Sequence, residues 1–434
     1  MAGNLPIDGR RLWDDLMQLA GITDPGKPYT RRSFSPLFDE GRAWLRKRFE
    51  AAGLETGIDS GGNLIGRRAG SDPKAGTILI GSHSDTVPSG GRFDGTAGVL
   101  AALEIARSLA DKGITLRHAI EVVDFLAEEP SEFGLSCIGS RGMAGVLDNR
   151  MLAYTDPSGE VLSHAIDRVG GNVATLPAAK RSDIAAFFEL HIEQGLVLQE
   201  GKIDVGIVTA IVGITRVEIV FKGSADHAGT TPMHLRRDAF TPAAKTAVFV
   251  DRIARELVGR NAGLFVATIG IVSVAPGASN VVPEEARIVI DARSENRALM
   301  EEFLAALDAE TAAFAAQSRV ERAVLMRLSD TDPTACDPRL RALLRESADA
   351  LGFSSTDIAS GAGHDAAFVA RIAPSAMLFI PCRDGKSHAP EEWAEPEALA
   401  AGTAVIAETV LRFDRMQAAP QGAYERDHDG THTG

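Results

Sequence analysis

The chain predicts an α/β fold: a mixed-sheet main domain interrupted by an inserted α+β sandwich of a four-stranded antiparallel sheet and two helices. Two observations carry this. Short apolar runs recur along the chain, and each ends in a turn rich in Gly, His and acidic residues. Between Gly213 and Asp330 the texture changes to strand–helix–strand–strand–helix–strand. At 434 residues the chain is too long for one ordinary core, so two domains are expected.

The elements follow in order. Asp14 to Leu19 and Phe38 to Ala52 read as helices, the second with Trp44, Leu45 and Phe49 on one face. TILI (Thr77 to Ile80) is a short apolar strand. Thr96 to Lys112 keeps a helical period through Val99, Leu100, Leu103, Ala106 and Leu109, and Gly113 stops it. IEVVDFL (Ile120 to Leu126), Ala185 to Leu190 and MLFIP (Met377 to Pro381) read as buried strands. In the insertion, Arg216 to Phe221, Leu264 to Val272, Arg287 to Asp291 and Arg319 to Arg327 are strands; Thr241 to Val258 and Glu295 to Ala316 are helices. The expected division is 1–212 with 330–416 as the discontinuous main domain, 213–329 as the insertion, and 417–434 as a disordered Gly-, His- and Asp-rich tail.

Composition narrows the partners. The formal charge is −14, which disfavours nucleic acid and anionic membranes. No apolar run reaches about 18 residues and no secretory leader is visible. Cys137, Cys336 and Cys382 are too few and too far apart for a disulfide framework or a CxxC zinc site, so a reducing cytoplasm is expected.

The chemistry lies in the turns. GSHSDTVPSGGRFDGTAGV (Gly81 to Val99), DFLAEEP (Asp124 to Pro130), HIEQG (His191 to Gly195) and KSHAP (Lys386 to Pro390) supply His83, Asp94, Glu129, His191 and His388, with Glu128 left over. Two divalent cations sharing one carboxylate need about that many donors. All of these residues lie at the C-terminal ends of apolar strands, where open α/β sheets place their sites. Each has a blander reading. Asp94 could cap the helix that starts at Thr96, and an isolated Glu–Glu pair is usually a solvated turn. Against this, Asp85 lies two residues from His83 and could orient its ring, and adjacent Glu128 and Glu129 point in different directions. One of the pair could bind metal while the other accepts a proton from activated water. Outside the main domain, His227 in GSADHAGTTP, Asn280 in PGASNVVP and Arg293 after ARIVIDAR are candidate substrate residues; Arg grips carboxylates with both branches. Gly363 and His364 in SGAGHDA are candidate wall residues, His364 alternatively being a structural histidine.

The ordered set GSHSDTV, GGRFDGTAGV, AEE, HIEQG, ADHAGTTPM, GASNVVP, DAR, GAGHDA and SHAPEE resembles the hydantoinase/carbamoylase family of binuclear-metal amidohydrolases, within the aminoacylase and metal-carboxypeptidase superfamily. The likeness runs from about Leu12 to Arg412. It implies a di-metal hydrolase in which Asp94 bridges, His83 and His191 complete one ion, Glu129 and His388 the other, and Glu128 is the general base. It also implies that Gln194, His227, Asn280 and Arg293 bind substrate, the last three offered across a homodimer by the partner's small domain. A strained or cis Asp94–Gly95 bond is a further expectation. Two divalent ions per subunit follow, zinc first, with manganese, cobalt or nickel as alternatives. The implied reaction is hydrolysis of an N-carbamoyl-L-amino acid, a small carboxylate, to amino acid, carbon dioxide and ammonia. Allantoate amidohydrolase, β-ureido acid hydrolase and dipeptidase are the enzymatic rivals, and a catalytically silent metal-dependent binding protein is the rival of another class. One departure stands out: where relatives continue EEGSRF, this chain reads EEPSEFG, placing Pro130 and Glu132 beside the site.

Overall fold

The computed structural model describes residues 5–260 and 262–416; the tail 417–434, expected to be disordered, lies outside them. Among these residues thirteen strands form two sheets. In chain order they are β1 Glu55–Ile58, β2 Leu64–Arg68, β3 Thr77–His83, β4 Ala119–Phe125, β5 Ile184–Ile192, β6 Val205–Ile211, β7 Gly213–Lys222, β8 Phe265–Ala275, β9 Glu285–Ser294, β10 Glu321–Asp330, β11 Thr334–Ala335, β12 Ser355–Ser360 and β13 Ser375–Ile380.

Nine strands make one mixed sheet in the order β1-β2-β4-β3-β5-β13-β6-β11, with β12 added in parallel on β6. Its centre, β4-β3-β5-β13, is parallel throughout. Helices cover both faces, so these strands read as continuous apolar runs rather than alternating ones. Ile78 and Ile80 point into a core shared with helices Gly9–Ala20, Thr96–Asp111, Pro338–Leu351 and Pro396–Arg415. Leu79 points the other way, to Val123, Phe125, Phe187 and Phe379.

The other sheet, β10-β7-β9-β8, is antiparallel and drawn wholly from 213–330. Helices Phe240–Val258 and Arg297–Ser318 pack on it around Phe221, Phe249, Phe265 and Phe303. The observed order is strand–helix–strand–strand–helix–strand, as the sequence predicts. No helix among the described residues is long and apolar enough to cross a membrane.

Candidate metal centre

Four adjacent parallel strands end on one edge of the large sheet, and that edge is the site. Neighbouring strands lie about 4.8 Å apart, so their C-terminal ends converge without further folding. His83 is the last residue of β3 and His191 the penultimate residue of β5, one step earlier than their expected places beyond the strand ends. Glu128 and Glu129 follow β4, and His388 follows β13. Asp94 enters from the turn before the helix Thr96–Asp111.

Asp94 does not cap that helix. Gly95 occupies the N-cap with no side-chain bond, and the Asp94 carboxylate is left free for other partners. Its two oxygens divide. Oδ1 lies 3.0 Å from His191 Nε2 and 3.7 Å from His83 Nε2. Oδ2 lies 3.0 Å from His388 Nε2, which is itself 3.2 Å from Glu129 Oε1. His83, Asp94 and His191 thus form one cluster able to hold a metal, and Asp94, Glu129 and His388 a second. The donor chemistry fits divalent cations. His83 Nδ1 lies 3.0 Å from the Asp85 carbonyl and His191 Nδ1 2.9 Å from that of Ile192. Nδ1–H donation there would turn each Nε2 lone pair toward Asp94.

The orienting group for His83 is therefore the backbone of Asp85; its carboxylate is farther, at 3.5 Å. That carboxylate instead accepts the N–H groups of Glu128 (3.2 Å) and Glu129 (3.3 Å), holding the acidic pair in place. The expectation of a cis Asp94–Gly95 bond is not met: the cis bonds among the described residues are elsewhere. The backbone demand falls on Gly95, at φ +63°, where a Cβ would sit 2.4 Å from the His83 ring.

The electrostatics are those of a cation site. With protons as the only cations, hydrogen bonds to Asp94 and Glu129 push His388 up to about 10. Burial alone would raise Asp94, but His191, His388 and His83 together hold it well below the usual carboxylate range. Glu128 goes the other way: burial, then Glu129, Asp365 and Asp85, drive it well above its usual value against the pull of His83. Ala127, Cys137, Gln194 and His388 all hold positive φ around the cluster, a concentration of backbone strain of the kind found at functional sites.

The cluster opens into a cleft of about 1490 Å³ lined by Gln194, Arg293, Gly363 and His364 together with Asp94, Glu129, His191 and His388. Gln194 Nε2 donates to Asp94 Oδ2 at 3.1 Å. His364 is buried, edge-on to His191 at 4.5 Å between ring centroids, with Nε2 2.9 Å from Ser360 Oγ. Arg293 lines this cleft within its own chain, bonded to Asp291 at 2.7 Å and to the Gly361 carbonyl at 2.8 Å. His227 and Asn280 are brought together with each other, through the Ala228 N–H and Asn280 carbonyl (2.9 Å) and the bridge from His227 to Val281, but not with the metal donors. His227 is exposed, and its Nδ1 accepts from Gly229 and Thr230 N–H, so Nε2 carries the proton outward.

Residues 79–412 match the family described as Peptidase family M20/M25/M40. The chain belongs to this family. It is similar to the N-carbamoyl-L-amino-acid amidohydrolase of Paenarthrobacter aurescens, 38% identical with 93% of this chain and 98% of the relative covered. It is also similar to the allantoate amidohydrolase of Bacillus subtilis, 34% identical with 92% and 95% covered. A crystal structure of a hydantoinase/carbamoylase family amidase from Burkholderia multivorans superposes with TM-score 0.89 at 37% identity, covering 94% of this chain and 98% of that one. Within the M20 family the chain thus stands among the amidohydrolases, and it is an enzyme of that group.

Three neighbours of this site went unassigned from the sequence, Glu392 and Ser387 on one side and Cys137 on the other. Glu392, fully buried, accepts Phe93 N–H at 2.8 Å and Asp94 N–H at 3.1 Å, and Ser387 Oγ lies between it (2.9 Å) and Asp94 Oδ2 (3.1 Å). Burial, with the Asp94 charge beside it, pushes Glu392 up to about 7. Their signal was present in the sequence, since both belong to the SHAPEE motif. Cys137 is the other neighbour, with Sγ 3.7 Å from Glu128 Oε1 and burial keeping it a thiol.

Proposed function

We propose that this chain is a binuclear-metal amidohydrolase that cleaves the ureido C–N bond of N-carbamoyl-L-amino acids. The observation that carries the reading is the division of Asp94, whose two oxygens face two separate donor groups while Glu128 stands beside them in neither. His83, His191 and Asp94 would hold one divalent ion, and Asp94, Glu129 and His388 the other, zinc or else manganese, cobalt or nickel. Two such ions supply polarisation of a carbonyl and acidification of water.

The remaining steps fall to the chain. Arg293 pairs with the substrate carboxylate, and Gln194, Gly363 and His364 line its seat. Glu128 accepts the proton of the attacking water and returns it to the leaving nitrogen. The Cys137 thiol donates to Glu128 and holds its carboxylate in place. His227, assisted by Asn280, offers its Nε2–H to the developing oxyanion from a partner subunit. Water adds to the ureido carbon and the C–N bond to the amino acid breaks, giving the amino acid and carbamate, which decomposes to carbon dioxide and ammonia.

The same reading takes 1–212 with 330–416 as the catalytic body and 213–329 as the dimerisation body. Val266, Ile271 and Val272 on the edge strand β8 are exposed, which supports a second copy there. Three buried free thiols support a reducing compartment.

The test is product analysis on metal-reconstituted protein given N-carbamoyl-methionine, allantoate and a dipeptide, before and after chelation. Free methionine, carbon dioxide and ammonia, abolished by chelator, are expected. Turnover of allantoate alone would move the reading to the name carried by the Bacillus relative. Glu128→Gln should keep bound metal and lose about 10²–10⁴ in kcat; normal turnover would remove Glu128 from the base role.

A further inference from the structure

Six arginines line the cleft: Arg141, Arg216, Arg293, Arg297, Arg339 and Arg371. Four are matched by carboxylates. Arg216 and Arg293 share Asp291 at 2.9 and 2.7 Å, Arg297 meets Asp330 at 2.6 Å, and Arg339 meets Asp337 at 3.4 Å. Neither Arg141 nor Arg371 makes an ion pair among the described residues, although the Asp365 charge favours the cationic form of Arg141. They lie together, the Arg141 guanidinium 4.2 Å and the Arg371 guanidinium 5.9 Å from the centre of the same Phe368 ring. Arg141 is half-buried, and its one side-chain hydrogen bond runs from Nε to the Ser136 carbonyl at 3.0 Å.

Two like charges beside one ring repel, and a ring face with a single carbonyl offsets little of that. Burial first, and Arg371 in addition, hold Arg141 below its usual value. A purely structural arginine pair would be expected to recruit a carboxylate, as the other four have done. The place is specific. Arg141 lies one helical turn beyond Cys137, whose carbonyl accepts its N–H at 3.0 Å and whose Sγ is 3.7 Å from Glu128. One turn brings side chains within about 6 Å of each other. Arg293 stands on β9 of the small sheet, whereas Arg141 and Arg371 belong to segments packed on the large one. A substrate in this cleft meets cations from both bodies.

We propose that Arg141 and Arg371, flanking Phe368, form an anion subsite for the carboxylate of an acidic side chain, so that the preferred substrates are ureido acids bearing a second carboxylate. This rests on the amidohydrolase reading above, in which Arg293 takes the α-carboxylate. Arginine suits the task because its planar fork can grip both oxygens.

The experiment compares N-carbamoyl-aspartate and N-carbamoyl-glutamate with N-carbamoyl-leucine in two ways: kcat/KM of the metal-loaded enzyme, and calorimetric affinity of chelated protein, which reads the subsite without turnover. The acidic ligands should be favoured about tenfold in both. Arg371→Gln, at an exposed position, should reduce that ratio about tenfold, chiefly through KM, and Arg141→Lys should reduce it partly. No acidic preference, or an equal loss on all three ligands, overturns the subsite. Preferential binding of the acidic ligands with no hydrolysis of any ureido acid leaves the subsite standing and overturns the amidohydrolase reading instead.

Discussion

Glu392 lies directly behind Asp94, accepting its backbone N–H at 3.1 Å while Ser387 connects the two carboxylates. The contact joins residues 298 positions apart. It fixes the turn that carries Asp94, so Glu392 would act on any divalent ion held there through Asp94. Gly91 is required by the same contact, because a Cβ there would lie 1.9 Å from the Glu392 carboxylate. Glu392→Ala leaves two buried N–H groups unpaired and lets the turn drift. The expected outcome is a loss of about 10–100-fold in affinity for the divalent ion, measured by competition with a chromophoric chelator. Unchanged affinity would show that the turn holds itself.

Gly95 carries two constraints at once. An alanine there takes the cost of φ +63° and also meets the His83 ring at 2.4 Å. Gly95→Ala is expected to destabilise the protein by more than about 2 kcal/mol in urea denaturation and to lose the metal bound through His83. A well-folded, metal-loaded Gly95→Ala protein would mean that the turn can relax.

Much of this arrangement was legible in the chain because double-sided burial writes parallel strands as unbroken apolar runs. TILI and IEVVDFL give β3 and β4, and the polar turns that follow each run fall on one edge. What was not legible is long-range. Asp94 reads equally as a helix cap until Gly95 is seen at that position. Asp85 reads as a partner for His83 until its carboxylate is found on the Glu128 and Glu129 N–H groups. The hairpin β1–β2 has a half-exposed, alternating edge and little apolar signal, and β6 pairs mainly with strands more than a hundred residues later. The unmatched state of Arg141 and Arg371 depends on where every acid in the cleft points, which no local pattern encodes.

Asp183 supplies a pH dependence well away from the metal donors. Arg181 grips it with two bonds of 2.6 Å and Thr77 adds one of 2.9 Å. The Arg181 bonds lead in holding Asp183 down to about 2. The folded value is below the unfolded value of about 3.9, so this stabilisation is present above the unfolded value and lost as pH falls through about 2. Asp183→Asn should therefore lower the urea midpoint of chelated protein at pH 6, and the gap from wild type should close between about pH 4 and pH 2. A gap that persists at pH 2 would assign the effect to lost hydrogen bonds rather than to charge.

His227 distinguishes a complete subunit from a shared site. Its Nδ1 is occupied by the Gly229 and Thr230 N–H groups, its Nε2–H faces solvent, and it does not line the cleft of its own chain. An imidazole so locked into one tautomer is set up to donate, and the donor needs an acceptor from elsewhere. If that acceptor is a substrate in a second copy, Glu128→Gln and His227→Ala subunits are each inactive alone yet complementary when mixed. Random exchange makes half the dimers hybrid, and each hybrid holds one intact site, so about a quarter of wild-type turnover should return. The recovery should follow the rate of subunit exchange and disappear on dilution below the dimer dissociation constant. Mixed subunits that exchange freely and stay inactive would place the oxyanion donor within one chain, and the small body would then have to swing its own His227 over the metal edge.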